Sequence, residues 1–215
     1  MGLRHLWLAT ALLAGLVLLA GGAAARGGWS PLFPGSSSLV GTDLGAKPAP
    51  DFHLVDQFGE SLALSDLRGK PVVLTFLYTS CPDTCPIVTA KFAQVHRLLG
   101  ERAQDVALVA VTVDPERDTV ARLRQFLEAQ GLADVMRFLT GDRASLEATW
   151  AAYYIGVQRM EAGGHAADHA AGGYTVAHND ALYVIDKHGR QRVLMREDFA
   201  VEDMVRNLET LLREP

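Results

Sequence analysis

Cysteine is scarce in this chain of 215 residues, which contains only Cys81 and Cys85. A disulfide between them would close a very short loop and would remove little conformational entropy from the unfolded chain. The pair is therefore a poor structural crosslink and a better candidate for function. Basic runs and basic patches with interleaved aromatics are also missing, and the formal net charge is -5. These absences argue against a nucleic-acid partner.

The N-terminal region carries the strongest signal for location. An uncharged apolar run from Leu6 to Ala25 is long enough to span a bilayer, which predicts a membrane anchor over residues 1–26. A cleaved signal peptide is the alternative, because Ala23-Ala24-Ala25 offers a small-residue cleavage site. Both alternatives place the rest of the chain outside the cytoplasm, in a bacterial periplasm or an equivalent compartment. No cysteine lies near this run, so a lipid-modified cysteine anchor is not expected.

The remainder divides into a linker and one domain. Residues 27–50 mix glycine, serine and proline without helical or strand periodicity, and they are interpreted as a flexible linker. From residue 51 onward, strand-like and helix-like segments alternate. The predicted strands are Phe52–Val55, Ser61–Leu64, Val72–Tyr78, Val106–Val113, a short strand with Phe138-Leu139, Ala181–Ile185 and Gln191–Met195. This pattern predicts an α/β domain over residues 51–215, with a central mixed sheet flanked by helices and an N-terminal hairpin.

The motif Cys81-Pro82-Asp83-Thr84-Cys85-Pro86 directly follows the buried strand Val72–Tyr78. At such a strand-to-helix junction, the amides and the dipole of the helix N-terminus favour a thiolate. Three intervening residues allow both sulfurs to converge on one soft ion, and Pro86 suits the first helical turn. Two thiolates select soft metals, and one imidazole would complete a copper site of low coordination number.

His178 is the candidate for that imidazole. It precedes the Ala181–Ile185 strand, where a loop can carry it to the cysteine edge of the sheet. Four other histidines have ordinary interpretations: His5 in the targeting segment, His53 on the solvent side of a strand, His96 on a helix flank and His188 in a turn.

Three separated motifs occur in a fixed order along the domain. They are Phe76-Leu77-Tyr78-Thr79-Ser80-Cys81-Pro82-Asp83-Thr84-Cys85-Pro86, then Val111-Thr112-Val113-Asp114-Pro115-Glu116-Arg117-Asp118-Thr119, then Tyr174-Thr175-Val176-Ala177-His178 leading into Tyr183-Val184-Ile185-Asp186. Together they resemble the Sco/SenC family of copper chaperones, and they span nearly all of residues 51–215. The resemblance implies a thioredoxin-like fold, an N-terminal membrane anchor, and copper, as Cu(I), Cu(II) or both, held by Cys81, Cys85 and His178.

The same resemblance implies partners. Members of the family deliver copper to the dinuclear copper centre of cytochrome c oxidase subunit II, or keep that subunit's cysteines reduced so that it can be metallated. Subunit II or another copper-accepting protein is therefore the expected recipient. An upstream copper donor and a thiol reductant are the other expected partners.

Two functions from different classes stay open. A metallochaperone would bind and transfer copper without turnover, whereas a thiol-disulfide oxidoreductase would cycle Cys81 and Cys85 between dithiol and disulfide. Thioredoxin-type reductants have two residues between their cysteines rather than three, and a reductase has no chemical need for His178. A thiol peroxidase fits less well, because peroxiredoxins have a threonine three positions before the cysteine, where this chain has Tyr78. An inert exported domain with a small disulfide is the last alternative.

Four further side chains have two interpretations each. Asp114 and Asp118 match an acidic motif of the family, but aspartate is also a preferred helix cap, and Asp118 precedes a predicted helix. His165 and His169 lie in the stretch Glu161–Gly173, which is predicted to be a loop. Their i, i+4 spacing would place both imidazoles on one side of a helical turn as an auxiliary Cu(II) capture element. The alternative is a pair of solvated loop side chains.

Overall fold

The central sheet organises the chain. A computed structural model describes residues 39–161 and 173–215. The sheet contains β1 (Thr42–Pro48), β4 (Val72–Leu77), β5 (Ala107–Thr112), β6 (Arg137–Leu139), β9 (Leu182–Ile185) and β10 (Arg190–Met195). Its strand order is β1-β10-β9-β4-β5-β6. Strands β4, β5 and β6 are parallel, whereas the pairs β4–β9, β9–β10 and β10–β1 are antiparallel. The sheet is therefore mixed, as predicted.

The strand β4 lies at the centre of the core. All six of its residues are buried, and it pairs with β5 in a parallel register that sets Leu74 beside Val109. A strand covered on both faces needs apolar side chains at nearly every position, not at every second one. This requirement explains the nearly continuous apolar run, in which the buried Thr75 donates its hydroxyl to the Ala181 carbonyl oxygen at 3.3 Å. The prediction of a buried strand is confirmed.

Four α-helices flank the sheet within the described residues: α1 (Thr84–Leu99), α2 (Val120–Ala129), α3 (Arg143–Ala152) and α4 (Val201–Arg213). Two short 3-10 helices, Leu64–Leu67 and Gly100–Asp105, complete the helical segments of these residues. Helix α1 buries Val88, Phe92 and Val95, which recur at helical spacing. It packs against α4, and the Phe92 and Phe199 ring centroids are 6.4 Å apart at this contact. Burying a side chain such as Phe92 stabilises the fold by about 1.5–3 kcal/mol, so this face holds α1 in place.

Two hairpins accompany the sheet. The first joins β2 (His53–Val55) to β3 (Ser61–Ala63), as predicted. The second joins β7 (Val157–Glu161) to β8 (Tyr174–His178), with Val157 opposite His178. This second pair leaves no mark in the sequence pattern, because most side chains of β7 are exposed and show no apolar alternation. His165 and His169 lie between these strands, outside the described residues.

Strand β1 corrects the predicted linker. Residues 27–50 are predicted to be a linker, yet Thr42–Pro48 pairs with β10 at the edge of the sheet. Its side chains are mostly exposed and its register shifts between Asp43 and Lys47, so no periodicity marks it as a strand. Just before the strand, the buried Asn207 accepts from the Val40 N–H at 2.7 Å and donates to the Val40 carbonyl oxygen at 2.8 Å. The linker prediction is therefore wrong for Thr42–Pro48.

The described part of the chain contains no helix that is both long enough and apolar enough to cross a membrane. The predicted anchor, residues 1–26, lies outside that part. It stays a prediction.

Candidate metal centre

The two cysteines lie at the carboxyl end of β4, where the chain turns into α1. Cys81 is in the connection, and its N–H donates to the Tyr78 carbonyl oxygen at 3.3 Å in a tight turn. Cys85 is in the first turn of α1 and is 1% exposed, whereas Cys81 is half-buried. Both are free thiols, and the Cys85 N–H donates to Cys81 Sγ at 3.5 Å. The predicted strand-to-helix position of the motif is confirmed.

A shared hydrogen bond gives the two thiols opposite acidities. The Cys85 thiol donates to Cys81 Sγ, and this bond is the largest cause that lowers the pKa of Cys81 from 9.0 to about 5. Burial opposes the shift, and the N–H groups of Cys85 and Asp83 reinforce it, as expected at a helix N-terminus. The same hydrogen bond and burial raise the pKa of Cys85 far above its ordinary value. At neutral pH the pair is one accessible thiolate beside one buried thiol.

His178 is the last residue of β8 and lies beside the cysteine loop. Its ring meets the Tyr78 ring edge-on, with centroids 6.1 Å apart, and its Nδ1 lies 3.2 Å from the Asn179 carbonyl oxygen. Burial lowers the pKa of His178 below 6.5, while the Cys81 charge acts in the opposite direction. The imidazole is therefore neutral at neutral pH, which is the form that binds metals.

Tyr78 contacts both the cysteine side and the histidine side of this site, and it is not among the site residues predicted from the sequence. It is 4% exposed, its hydroxyl is hydrogen-bonded to the Cys81 sulfur, and its ring contacts His178. Burial, followed by the Cys81 charge, raises the pKa of Tyr78 to about 12, so the hydroxyl keeps its proton. The available signal was an aromatic residue at the end of a buried strand, which equally describes an ordinary core residue.

Asp118 holds the cysteine loop. It is fully buried, and its carboxylate accepts hydrogen bonds from the Thr79 N–H at 3.2 Å, the Thr79 hydroxyl at 2.6 Å and the Thr112 hydroxyl at 2.6 Å. The cap of α2 is Thr119, whose side-chain oxygen accepts from the Arg122 N–H. The prediction that Asp118 caps this helix is therefore wrong. The Asp118 carboxylate points into the protein, where three hydrogen-bond donors need an acceptor. The next residue, Thr119, caps the helix instead.

Asp114 has a different set of partners. It is 3% exposed, accepts a hydrogen bond from the Tyr174 hydroxyl at 2.7 Å and forms an ion pair with Arg117. Its backbone carbonyl oxygen accepts from the Asp118 N–H at 2.9 Å. Asp114 thus links the turn that contains Asp118 to the first residue of β8.

The other described histidines lie away from the cysteines. His53 is exposed on β2, and His188 is in the turn between β9 and β10, with Nε2 2.9 Å from the Pro215 carbonyl oxygen. His96 lies in the last turn of α1, about 16 Å along the helix from Cys85 at the usual rise per residue. Among residues 39–161 and 173–215, no group of three or more His, Cys, Asp or Glu side chains is arranged to hold a metal ion. This includes Cys81, Cys85 and His178, so the imidazole has to approach the two sulfurs before all three can bind one ion.

The fold and the position of the cysteine pair define a class of protein. The mixed sheet flanked by helices is a thioredoxin-like fold. It carries a paired-thiol site, with a reactive cysteine at the carboxyl end of the central strand and a second cysteine in the next helical turn. The SCO1/SenC family model matches residues 41–213. The chain therefore belongs to the SCO1/SenC family, and the resemblance seen in the three motifs is confirmed.

Relatives of this chain include named members of the family. A SCO2-like protein of Rickettsia prowazekii is 30% identical over 139 residues, which cover 65% of this chain and 64% of that protein. The mouse protein SCO2 homolog, mitochondrial, is 34% identical over 148 residues, which cover 66% of this chain and 56% of that protein. The match thus spans less than two thirds of either relative. The solved structure of Bradyrhizobium japonicum ScoI with copper bound is 28% identical, with a TM-score of 0.68, and covers 77% of this chain and 99% of that one.

Proposed function

We propose that this protein is a copper metallochaperone that binds copper through Cys81, Cys85 and His178 and passes it to another exported protein. The observation that carries the proposal is the contact between the two cysteines at the end of β4, with His178 beside them. Two sulfurs and one neutral imidazole form a soft donor set that suits copper. Membership of the SCO1/SenC family and the copper-bound relative support the same conclusion.

The burial of the ligands suits transfer of the metal. Cys85 is inaccessible, whereas Cys81 and His178, at the end of β8, are both half-buried. A copper ion with three ligands has room for a further donor, so a ligand of the acceptor can bind before the first sulfur leaves. The acceptor we propose is the dinuclear copper centre of cytochrome c oxidase subunit II. An upstream copper donor and a thiol reductant would load and reset the site.

The proposed location follows from the N-terminal sequence. Residues 1–26 would anchor the protein in the membrane or direct its export, and the domain would act outside the cytoplasm. The domain begins at least as early as β1, so a tether would be confined to the residues between the anchor and Thr42.

Copper titration of ligand variants tests the metal site. The reduced protein is expected to bind about one copper per chain, and Cys81→Ser or Cys85→Ser is expected to abolish tight binding, because a single sulfur is left. His178→Ala should keep a weaker two-sulfur Cu(I) site and lose the imidazole signal from bound Cu(II). His96→Ala, at the other end of α1, is the matched control. Unchanged spectra in His178→Ala would remove His178 from the site, and tight binding by both serine variants would overturn the proposed function.

Thiol-disulfide reduction is the second candidate function. It is favoured by the acidity of Cys81 and the burial of Cys85, which together make an attacking thiolate with a resolving thiol behind it. His178→Ala separates the two functions, because the imidazole serves the metal and not the disulfide chemistry. A variant that still reduces the acceptor's disulfide but no longer metallates it would identify copper delivery as a separate activity. Equal loss of disulfide reduction and of metallation in His178→Ala would contradict the separation of the two activities.

A further inference from the structure

One turn of the chain contacts both sides of the proposed copper site. This turn, Asp114–Asp118, follows β5 and is called the acidic turn below. At one end of it, Asp118 accepts three hydrogen bonds from Thr79 and Thr112, and Thr79 lies two residues before Cys81. At its other end the acidic turn contacts β8, the strand that carries His178.

The contact with β8 is made by Tyr174. Its hydroxyl donates to Asp114 at 2.7 Å, and its carbonyl oxygen accepts from the Arg117 guanidinium at 3.1 Å. The guanidinium carbon of Arg117 also lies 3.7 Å from the Tyr174 ring centroid, and that of Arg159 lies 3.8 Å from it. Arg117 is in turn paired with the Asp114 carboxylate. Tyr174 is 6% exposed and Arg117 is largely buried, so the contacts between them are shielded from water, which strengthens them. Arg159 is about half exposed, so its contact is weaker.

The strand transmits this contact to His178. Tyr174 and His178 are the two ends of β8, and each is paired with β7, at Glu161 and Val157. Because β7 and β8 are paired along their whole length, we expect a shift or tilt of the Tyr174 end to change the position of the His178 end. The His178 end is held by the next residue, Asn179, whose side-chain oxygen accepts from the Gly156 N–H at 2.7 Å.

We propose that Arg117 and Tyr174 are positioning residues, which hold β8 against the acidic turn and so set the place of His178 relative to Cys81 and Cys85. The consequence for copper rests on the function proposed above. The cysteine side of the site is held by hydrogen bonds from Thr79 and Thr112 to Asp118, and Tyr174 is not one of these donors. Loss of the Tyr174 contact should therefore affect the imidazole ligand and leave the two sulfurs in place.

Three variants and a control test this inference. Tyr174→Leu removes the ring and the hydroxyl. Arg117→Met removes the guanidinium that contacts the Tyr174 ring and carbonyl oxygen and also lies 5.9 Å from the Tyr78 ring centroid. Tyr174→Phe keeps the ring contacts and loses only the hydrogen bond to Asp114. Its Cu(II) affinity should therefore be closer to that of the parent protein than to that of Tyr174→Leu. Arg137→Met is the control, because Arg137 also pairs with a buried aspartate, Asp56 at 3.5 Å, and lies 5.2 Å from an aromatic ring, but at the start of β6.

The measurements separate positioning from general stability. Loss of a partner that orients a metal ligand typically lowers metal affinity by about 10- to 100-fold. We expect a loss of that size for Cu(II) in Tyr174→Leu and Arg117→Met, with a weaker His178 nitrogen coupling in electron paramagnetic resonance spectra and unchanged Cu(I) stoichiometry. Without copper, the β8 amides of both variants should exchange hydrogen faster. Arg137→Met should unfold at lower denaturant concentration but keep the parental Cu(II) spectrum.

The outcomes distinguish the two proposals. If the parent protein shows no nitrogen coupling that depends on His178, the proposed metal site fails, while faster amide exchange would still support the structural part of the inference. If the parent shows that coupling and Arg117→Met keeps both the coupling and the parental Cu(II) affinity, the positioning role is overturned. Equal loss of coupling in Arg137→Met would also overturn it. Should Tyr174→Leu fail to fold, Arg117→Met and Tyr174→Phe decide the question.

Discussion

Alkylation of Cys81 by iodoacetamide is expected to depend on pH in a way that an ordinary cysteine does not. With a pKa of about 5 instead of 9.0, Cys81 is about nine-tenths thiolate at about pH 6, where an ordinary thiol is about one-thousandth ionised. The nucleophilicity of a thiolate falls with its pKa, so each Cys81 thiolate is about 40- to 100-fold less reactive than the thiolate of an ordinary cysteine. Ionisation is the larger effect at about pH 6, and Cys81 should react about 10- to 20-fold faster than an ordinary thiol. At about pH 9 it should react about 20- to 50-fold more slowly.

The perturbation that tests the cause is Cys85→Ala. This change removes the thiol that donates to Cys81 Sγ, which is the largest cause of the lowered pKa. The inflection of the rate profile should then rise from about 5 but stay below 9.0, because the backbone donors and the Tyr78 hydroxyl remain. Cys85→Ser keeps a hydroxyl donor and should shift the inflection less. Alkylation rates of the reduced protein, measured site by site with mass spectrometry, give the profile.

Three results would refute this account of the pair. They are an inflection near 9.0 in the parent protein, alkylation of Cys85 before Cys81, and identical profiles for the parent and Cys85→Ala.

The same pKa shift determines how the stability of the fold depends on pH. Because the folded pKa of Cys81 is below its unfolded value, its ionisation contributes stability that is complete above 9.0 and is lost as the pH falls through about 5. The raised pKa of Cys85 acts the other way at alkaline pH, where its ionisation favours the unfolded chain.

Two further predictions concern the same loop. Cu(I) binding at about pH 6–8 should release about one proton, from Cys85. The logarithm of the Cu(I) affinity, measured in competition titrations, should therefore rise by about one per pH unit. A slope of about two would mean that Cys81 is protonated in the free protein. Asp118→Ala should lower the free energy of unfolding by about 2–4 kcal/mol, because three donors lose their acceptor. The loss is partly offset because the change also removes a carboxylate whose pKa is raised by burial. Thr119→Ala, which removes only the helix cap, should cost about 1 kcal/mol. Urea unfolding measures both losses, and equal values would contradict the assigned roles.

The sequence by itself determined the features that depend on neighbouring residues. Val72–Tyr78 indicates a buried strand because every side chain except Thr75 is apolar or aromatic, and β4 occupies that place with both faces covered. Helix α1 follows from the spacing of Val88, Phe92 and Val95, and the cysteine motif falls between these two elements. The order of the three motifs was enough to indicate the family to which the chain belongs. Each of these signals is local, so it is visible before the chain is folded.

Only the tertiary structure decided what each polar side chain does. The carboxylate of Asp118 bonds Thr79, which is 39 positions away in sequence, and Tyr174 bonds Asp114 across 60 positions. Local pattern assigned Asp118 to a helix cap, because nothing near it in sequence shows the donors that the fold brings to it. Strand β1 likewise exists through backbone pairing with β10, which leaves no periodicity in its exposed side chains. The opposite acidities of the two thiols also required the fold, because they arise from a hydrogen bond and from unequal burial, which spacing alone does not define.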